Sequence, residues 1–225
     1  MQEKSEIKQK NNKAWFFFMV MYLVVDFVRI QDLLPIIGVI RPGLITVVIL
    51  SFFILKKGSF YFNINQIKMI YLFLILLGIH IPFAVNNWFA YKTTEGFCLY
   101  IPFILSIITC LDSVESLKKM INIWILMMIY IALFSITNLG KGSGGYFADE
   151  NDLSLFLNLM LPLCYFLLIS EKGGKKKLLY GVALIIGLIA EAKSFSRGGF
   201  VGLAVICYRD GNHQEYKRIY CPSEI

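Results

Sequence analysis

Residues 120–138 of this chain read MINIWILMMIYIALFSITN, an apolar stretch that contains no charged residue. A helix needs about 20 apolar residues to cross the roughly 30 Å hydrocarbon core of a bilayer, and this stretch has that length. Hydrocarbon offers no water to the backbone, so a crossing segment of this kind must satisfy its own N–H and C=O groups as an α-helix. The stretch therefore predicts a transmembrane helix.

The composition of the whole chain indicates that this helix is one of several. Hydrophobic residues make up 57% of the 225 residues and charged residues only 16%, and the mean hydropathy is +0.66. Soluble domains carry about 25% charged residues. One core of this size could not bury so much apolar surface, which excludes a soluble domain and predicts a multi-pass membrane protein.

Seven further apolar stretches complete the predicted bundle. The spans are 14–30, 35–55, 67–86, 97–111, 120–138, 153–170, 177–192 and 198–208. Pro82, Pro102 and Pro162 fall inside spans, where neighbouring groups can satisfy the freed carbonyls. We expect an all-α, polytopic transmembrane bundle of about eight helices.

The basic residues predict the orientation of this bundle. With the N-terminus inside, the inner segments hold 16 of the 22 Lys and Arg residues and the outer segments hold 6. Cytoplasmic loops of membrane proteins carry this excess of positive charge. The net charge of +7 is thus explained by topology and not by nucleic-acid binding. Residues 1–13 are then cytoplasmic, and no small-x-small cleavage site marks the first span as a signal peptide.

The predicted outer side holds three segments with unusual residues. The first, DFVRIQDLLP at 26–35, is followed by Arg41. Its arginines and aspartates either pair to anchor helix ends or provide a positive lining for an anionic ligand. The second, GKGSGGYFADEND at 140–152, is a glycine-rich loop in which Asn151 or Asp152 is the expected N-cap of the sixth span.

The third outer segment is EAKSFSRGG at 191–199, where an arginine precedes two glycines at a span boundary. The guanidinium either binds phosphate oxygens, with backbone N–H groups close by, or snorkels to lipid headgroups.

The cysteines and histidines do not form a recognisable metal or catalytic set. The five cysteines, without CxxC spacing, are interpreted as small apolar residues (Cys98, Cys110, Cys164, Cys207 and Cys221). His80 lies within the third predicted span, where we expect a hydrogen bond inside the bundle, and His213 lies in the predicted inner tail.

Residues 145–154 and 196–200 together resemble the O-antigen ligase/polymerase family. Asp149 and Asn151 match the family's Asp-x-Asn in an outer loop, and Ser196, Arg197 and Gly198 match its Ser-Arg-Gly one helical hairpin later. Residues 26–35 with the following Arg-Pro-Gly at 41–43 are also similar to the exosortase-associated O-glycosylation ligase branch. The resemblance extends over about residues 15–207.

The resemblance implies a metal-independent, cofactor-free glycosyltransferase in the bacterial inner membrane. It would transfer or polymerise undecaprenyl-diphosphate-linked glycan on the periplasmic face, with lipid A core, another glycan or a protein as the acceptor. The residues that the resemblance implies for binding the diphosphate are Arg197, Arg29, Arg41 and Lys193. Asp149 and Asn151 would order the loop or contact sugar, and no catalytic residue is assigned.

The chain also departs from the family pattern. Family members are longer and carry further helices and a periplasmic loop with a histidine thought to act as base. Here residues 14–208 form the family-like, truncated region, and a polar tail follows at 209–225. We expect this tail to reflect a truncated or frameshifted reading frame. The alternatives are a non-catalytic membrane subunit or inactive fragment of a glycan assembly system, and a lipid-linked oligosaccharide transporter, which predicts inverted repeats.

The predicted orientation can be tested with reporter fusions. Green fluorescent protein fused after Ser59 or Glu115 is expected to fluoresce, because both positions fall in predicted inner segments. Alkaline phosphatase is expected to be active after Trp88 or Gly142, in predicted outer segments. Phosphatase activity after Glu115 would contradict the assignment.

Overall fold

A computed structural model describes residues 2–29, 31, 35–143, 147–206 and 208 of the chain. All regular structure in these residues is helical, without a β-strand, which confirms the predicted all-α class. The predicted polar tail 209–225 with His213 and Cys221, and also Asp32, residues 144–146 and Cys207, lie outside the described residues.

Nine α-helices are described, with two short segments of other helix types. The helices are α1 Gln2–Leu23, α2 Pro35–Ile40, α3 Pro42–Lys57, α4 Asn65–His80, α5 Asn87–Cys110, α6 Val114–Thr137, α7 Glu150–Ser170, α8 Gly174–Ser194 and α9 Arg197–Ile206. A π-helical segment, Val24–Val28, continues α1, and a 3₁₀ turn, Ile81–Phe83, follows α4. The helices α5 and α7 run through Pro102 and Pro162, as expected.

Five segments of the described chain are long and apolar enough to cross a membrane, and they point to a multi-pass membrane protein. They are Ile36–Lys57, Asn65–Phe83, Asn87–Cys110, Val114–Thr137 and Glu150–Ser170. They coincide with the second to sixth predicted spans. The fourth span was predicted too short, because α5 begins at Asn87 and not near residue 97.

The other three predicted spans are not among these five. In α1 the first half is polar and charged, and α8 carries three lysines at 175–177 with Glu191 and Lys193 near its other end. The described part of helix α9, Arg197–Ile206, is about 15 Å long at 1.5 Å per residue, half of what a bilayer core requires. The count of about eight spans and the inward N-terminus therefore stay predictions.

The chain divides into two compact units, of which the first comprises Met1–Asp26 and Leu33–Met120. In this unit α1, α3 and α5 pack against one another, and α4 packs along α5. Trp15 joins all three packed helices, since its ring stacks on Phe53 at 5.5 Å and its indole N–H donates to Ser106 Oγ at 2.9 Å.

The second unit comprises Phe27–Asp32 and Ile121–Ile225. Its core lies between α6, α7 and α8, and buried Leu153, Leu157 and Cys164 of α7 belong to it. The Tyr180 hydroxyl of α8 donates to Asn122 Oδ1 of α6 at 2.7 Å. This core fixes α7 against α6 and α8, and it thereby also fixes the position of the first turn of α7.

Large apolar side chains remain exposed on the outer faces of the helices. On α4, for example, Met69 is 66% exposed and Ile75 58%. Exposed apolar area of this extent is costly in water, whereas a lipid-facing helix exposes such side chains without penalty. The distribution therefore agrees with a membrane environment.

We expect Ser106→Ala to destabilise the first unit. The substitution leaves the buried indole N–H of Trp15 without its acceptor, which should lower the free energy of unfolding by about 1 kcal/mol. The measurement is unfolding in detergent, followed by tryptophan fluorescence. In the control Ser51→Ala, only a bond to the helix's own Val47 carbonyl is lost, so a loss as large as that of Ser106→Ala would contradict the argument.

Candidate functional site

Three helix ends meet in the second unit: the start of α7, the end of α8 and the start of α9. Helices α7 and α8 are packed neighbours joined by the short connection 171–173, so the first turn of α7 lies beside the last turn of α8. Helix α9 follows α8 after only Phe195 and Ser196. The sequence motifs around Asn151 and Arg197 are thereby placed at the same end of the unit.

The N-cap of α7 is Asp149. Its backbone is extended, with φ −90° and ψ 130°, and its carboxylate accepts from the N–H of Asn151 at 2.7 Å. The prediction that Asn151 or Asp152 caps this helix was therefore wrong. Because Asp149 satisfies the helix end, the side-chain amide of Asn151 remains available for a contact with another helix.

The turn between α8 and α9 supplies that contact. Phe195 ends α8 in the left-handed conformation, at φ 53°, and reverses the chain direction at a cost of about 1 kcal/mol for a non-glycine residue. Ser196 Oγ then accepts from the N–H of Gly199 at 3.1 Å and donates to Asn151 Oδ1 at 2.9 Å. Ser196 thus caps α9 and joins it to α7.

A second polar contact lies deeper along the same helix pair. Asn158, two turns after Asn151, donates through Nδ2 to the carbonyl of Gly199 at 2.9 Å. A Cβ on Gly199 would overlap Glu191 Oε1 and lie 2.6 Å from Ser154 Oγ. Glycine is therefore required here for the close approach of α9 to α7 and α8.

A groove of about 500 Å³ runs between α7 and α9. At the start of both helices it is lined by the polar groups of Asn151 and Ser196 with the backbone of Gly198. Further along, its lining is mostly apolar (Leu155, Leu159, Val205 and Ile206), with Asn158, Gly199 and Gly202 between these side chains. A groove with one polar and one apolar end suits a ligand with a polar head and an apolar tail.

The glycine-rich loop before α7 approaches the end of α8, as its composition predicts. Gly140 has φ +83°, and a Cβ there would lie 3.0 Å from the Cα of Ser194. On the same side, Lys193 is exposed and its Nζ donates to the carbonyl of Ile136 at 3.2 Å. A cation at this position stabilises the C-terminal end of α6.

The predicted arginines are placed differently from one another. Arg197 is the exposed first residue of α9, beside Ser196 and Gly198 of the groove wall. Arg29, half-buried with φ 53°, belongs to the second unit, and the exposed Arg41 belongs to the first unit. None of the four predicted cations lines the groove among its described residues (Arg197, Arg29, Arg41 and Lys193), although Arg197 lies between two lining residues in the chain.

His80 was predicted to form a hydrogen bond inside the bundle, but its side chain is exposed. It is the exposed last residue of α4 and not a mid-span residue, and it lines a separate groove of about 290 Å³ in the first unit, together with Asn86 and Thr93. The α4 helix ends at this position, just before Pro82, so the imidazole lies at the end of the helix.

Several polar residues of the α7–α9 site were not singled out from the sequence. Ser154, Asn158, Glu191 and Ser194 are all buried at the junction of the three helices. The sequence does contain a signal for them, since residues 151, 154 and 158 share one helical face and a carboxyl at 191 directly follows the apolar run 178–190.

In the described ranges, no group of three or more His, Cys, Asp and Glu side chains is arranged to hold a metal ion. No protein-family model, curated protein or solved structure matches the chain.

The two adjacent glycines of α9 form a matched pair for testing the site. Gly199→Ala is expected to lower the free energy of unfolding by about 1–3 kcal/mol, because its Cβ overlaps Glu191 and Ser154. Gly198→Ala should be neutral or stabilising by up to about 1 kcal/mol, since its Cβ would meet open space. Denaturant unfolding in detergent measures both, and equal effects of the two variants would refute the packing of α9.

Proposed function

We propose that the groove between α7 and α9 binds a lipid-linked diphosphate and that the chain serves glycan transfer or polymerisation on the periplasmic face of the bacterial inner membrane. The observation that carries the proposal is the hydrogen bond of 2.9 Å from Ser196 to Asn151. It joins the two short motifs, Asp149 with Asn151 and Ser196 to Gly198, that resemble the O-antigen ligase/polymerase family.

The electrostatics of the α9 start favour an anion. The first N–H groups of a helix and its dipole attract negative charge, and Arg197 adds an exposed guanidinium at the first position of the helix. A guanidinium binds phosphate oxygens in a bidentate manner. The exposed carboxylates at the start of α7, Asp149, Glu150 and Asp152, oppose an anion at this end of the unit, so binding would depend on the guanidinium.

The apolar end of the groove gives the ligand its second property. Leu155, Leu159, Val205 and Ile206 line this end, and an isoprenoid chain of the undecaprenyl type would cover them. The polar end would then hold the diphosphate and the first sugar near Asn151 and Ser196. This division favours a lipid-linked glycan over a soluble nucleotide sugar as the ligand.

The chemistry that this arrangement supports is stabilisation of a leaving group. In glycan transfer, an acceptor hydroxyl oxygen bonds to the anomeric carbon and the bond from that carbon to the diphosphate breaks. The electron pair of the broken bond stays on the diphosphate, where preorganised donors such as Arg197 stabilise it. The proton of the acceptor goes to a general base, which the resembling family carries on its periplasmic histidine loop.

A non-catalytic subunit that binds the same lipid is the second candidate. The described residues that line the groove are Asn, Ser, Gly and aliphatic residues, without a carboxylate or an imidazole. The groove by itself thus offers ligand binding but not proton transfer, and charge stabilisation would come from the adjacent Arg197. Binding and transfer must therefore be measured separately.

We expect Arg197→Ala to weaken binding of undecaprenyl diphosphate by about tenfold or more, because a charge-assisted hydrogen bond is lost. Lys141→Ala is the matched control, since it removes an exposed cation from the neighbouring loop and should leave the affinity unchanged. Native mass spectrometry of the purified chain in detergent measures the affinity. Equal affinity of Arg197→Ala and wild type would overturn the assignment.

Complementation distinguishes the two candidates. The 225-residue chain is expressed in a strain lacking its own copy, alone or joined to the C-terminal half of a family member, and surface glycan is examined on gels. Long glycan restored by the wild-type chain and lost in Arg197→Ala supports the enzyme. Restoration only by the joined form assigns binding to this chain and the general base to the added half.

A further inference from the structure

The carboxyl of Glu191 lies behind the groove, where α7, α8 and α9 meet. The residue is 1% exposed, and neither carboxyl oxygen has a hydrogen-bond partner of good geometry among the described residues. Ser154 is a polar neighbour of this carboxyl, because Glu191 Oε1 and Ser154 Oγ both border the space over Gly199. An ionised carboxylate without a partner in such a place is strongly disfavoured, because its hydration is lost without compensation.

Among the described residues, no ion pair compensates the charge of Glu191. The nearest cations along the chain are exposed and directed elsewhere: Lys193 donates to the carbonyl of Ile136, and Arg197 is at the surface. The acidic residues at the start of α7, Asp149, Glu150 and Asp152, are likewise exposed and add only negative charge.

The hydrogen bonds next to Glu191 have a defined direction. Ser194 Oγ donates its only proton to the backbone carbonyl of Glu191 at 2.8 Å, since a carbonyl can only accept. Ser154 Oγ and Ser194 Oγ are 2.8 Å apart, so Ser154 must be the donor in this pair. The proton of Ser154 is thereby used, and its oxygen can only accept from Glu191.

We propose that Glu191 carries a proton and donates it in a hydrogen bond to Ser154, as the first donor of a chain that positions the start of α9. The chain runs from Glu191 to Ser154 and on to Ser194, which also accepts from the N–H of Ser196 at 3.2 Å. Ser196 in turn caps α9 and contacts Asn151. Glu191 is thus a positioning residue for Arg197, and this role rests on the proposed binding of diphosphate there.

Two substitutions of similar volume test the proton. Glu191→Gln keeps a donor for Ser154, whereas Glu191→Met fills the space without one. Hydrogen–deuterium exchange of the peptide covering residues 194–200 is measured by mass spectrometry in detergent. We expect Glu191→Gln to exchange at the wild-type rate. Glu191→Met should exchange about tenfold faster, because one hydrogen bond is lost. Glu115→Gln is the control, because Glu115 is exposed and paired with Lys119 at 2.8 Å.

Binding of undecaprenyl diphosphate is measured on the same samples and is expected to follow the exchange. If Glu191→Gln is as impaired as Glu191→Met, the carboxylate is needed in its ionised form and the proposal is wrong. If Glu191→Met exchanges and binds like wild type, the hydrogen bond does not position α9, and the proposal is also wrong. If exchange differs between Glu191→Gln and Glu191→Met while even the wild-type chain does not bind the lipid, the positioning role holds and the proposed function fails.

Ser154→Ala provides an independent variant in case Glu191→Met does not fold. It removes the acceptor while Glu191 is retained, and it should accelerate exchange at residues 194–200 to the same extent. If exchange at residues 194–200 is unchanged in Ser154→Ala, Ser154 is not part of a hydrogen-bond chain that positions α9, and the proposal is wrong.

Discussion

Backbone N–H and C=O groups in hydrocarbon have no water to bond to, and this constraint governs the whole structure. A chain that is 57% hydrophobic can enter a bilayer only if its segments pair these groups internally, as α-helices do. Each helix nevertheless leaves about four N–H and four C=O groups unpaired at its ends. Polar side chains are consequently most useful at helix ends, and the candidate site consists of three such ends.

The bonds that complete these helix ends also build the site. The hydroxyl of Ser196 accepts from the N–H of Gly199 and at the same time donates to the side-chain oxygen of Asn151. Asp149 satisfies the N–H of Asn151 and so leaves the Asn151 side chain for this contact. Capping and assembly of the groove therefore depend on the same few hydrogen bonds, and a substitution in this cluster changes both.

Burial divides the charged residues of this region into two kinds. Arg197 lies at the surface, where a guanidinium remains hydrated and accessible to an anionic ligand. Glu191 lies behind the groove, where ionisation would require removal of its hydration shell without a partner. The proposed diphosphate site would therefore have its positive charge at the surface and a protonated carboxyl behind the groove.

The sequence by itself determined the helical class and the spans that rest on long apolar runs. It also determined the two motifs around Asn151 and Arg197, since hydropathy and residue spacing are local properties. It did not determine the start of α5 at Asn87 or the cap of α7 at Asp149, because helix ends depend on side-chain contacts that hydropathy does not register. Only the tertiary structure decided that Ser196 meets Asn151 and that Glu191 lies against Ser154. These residues are about 40 positions apart, and their contacts exist only because α7, α8 and α9 pack closely at Gly199.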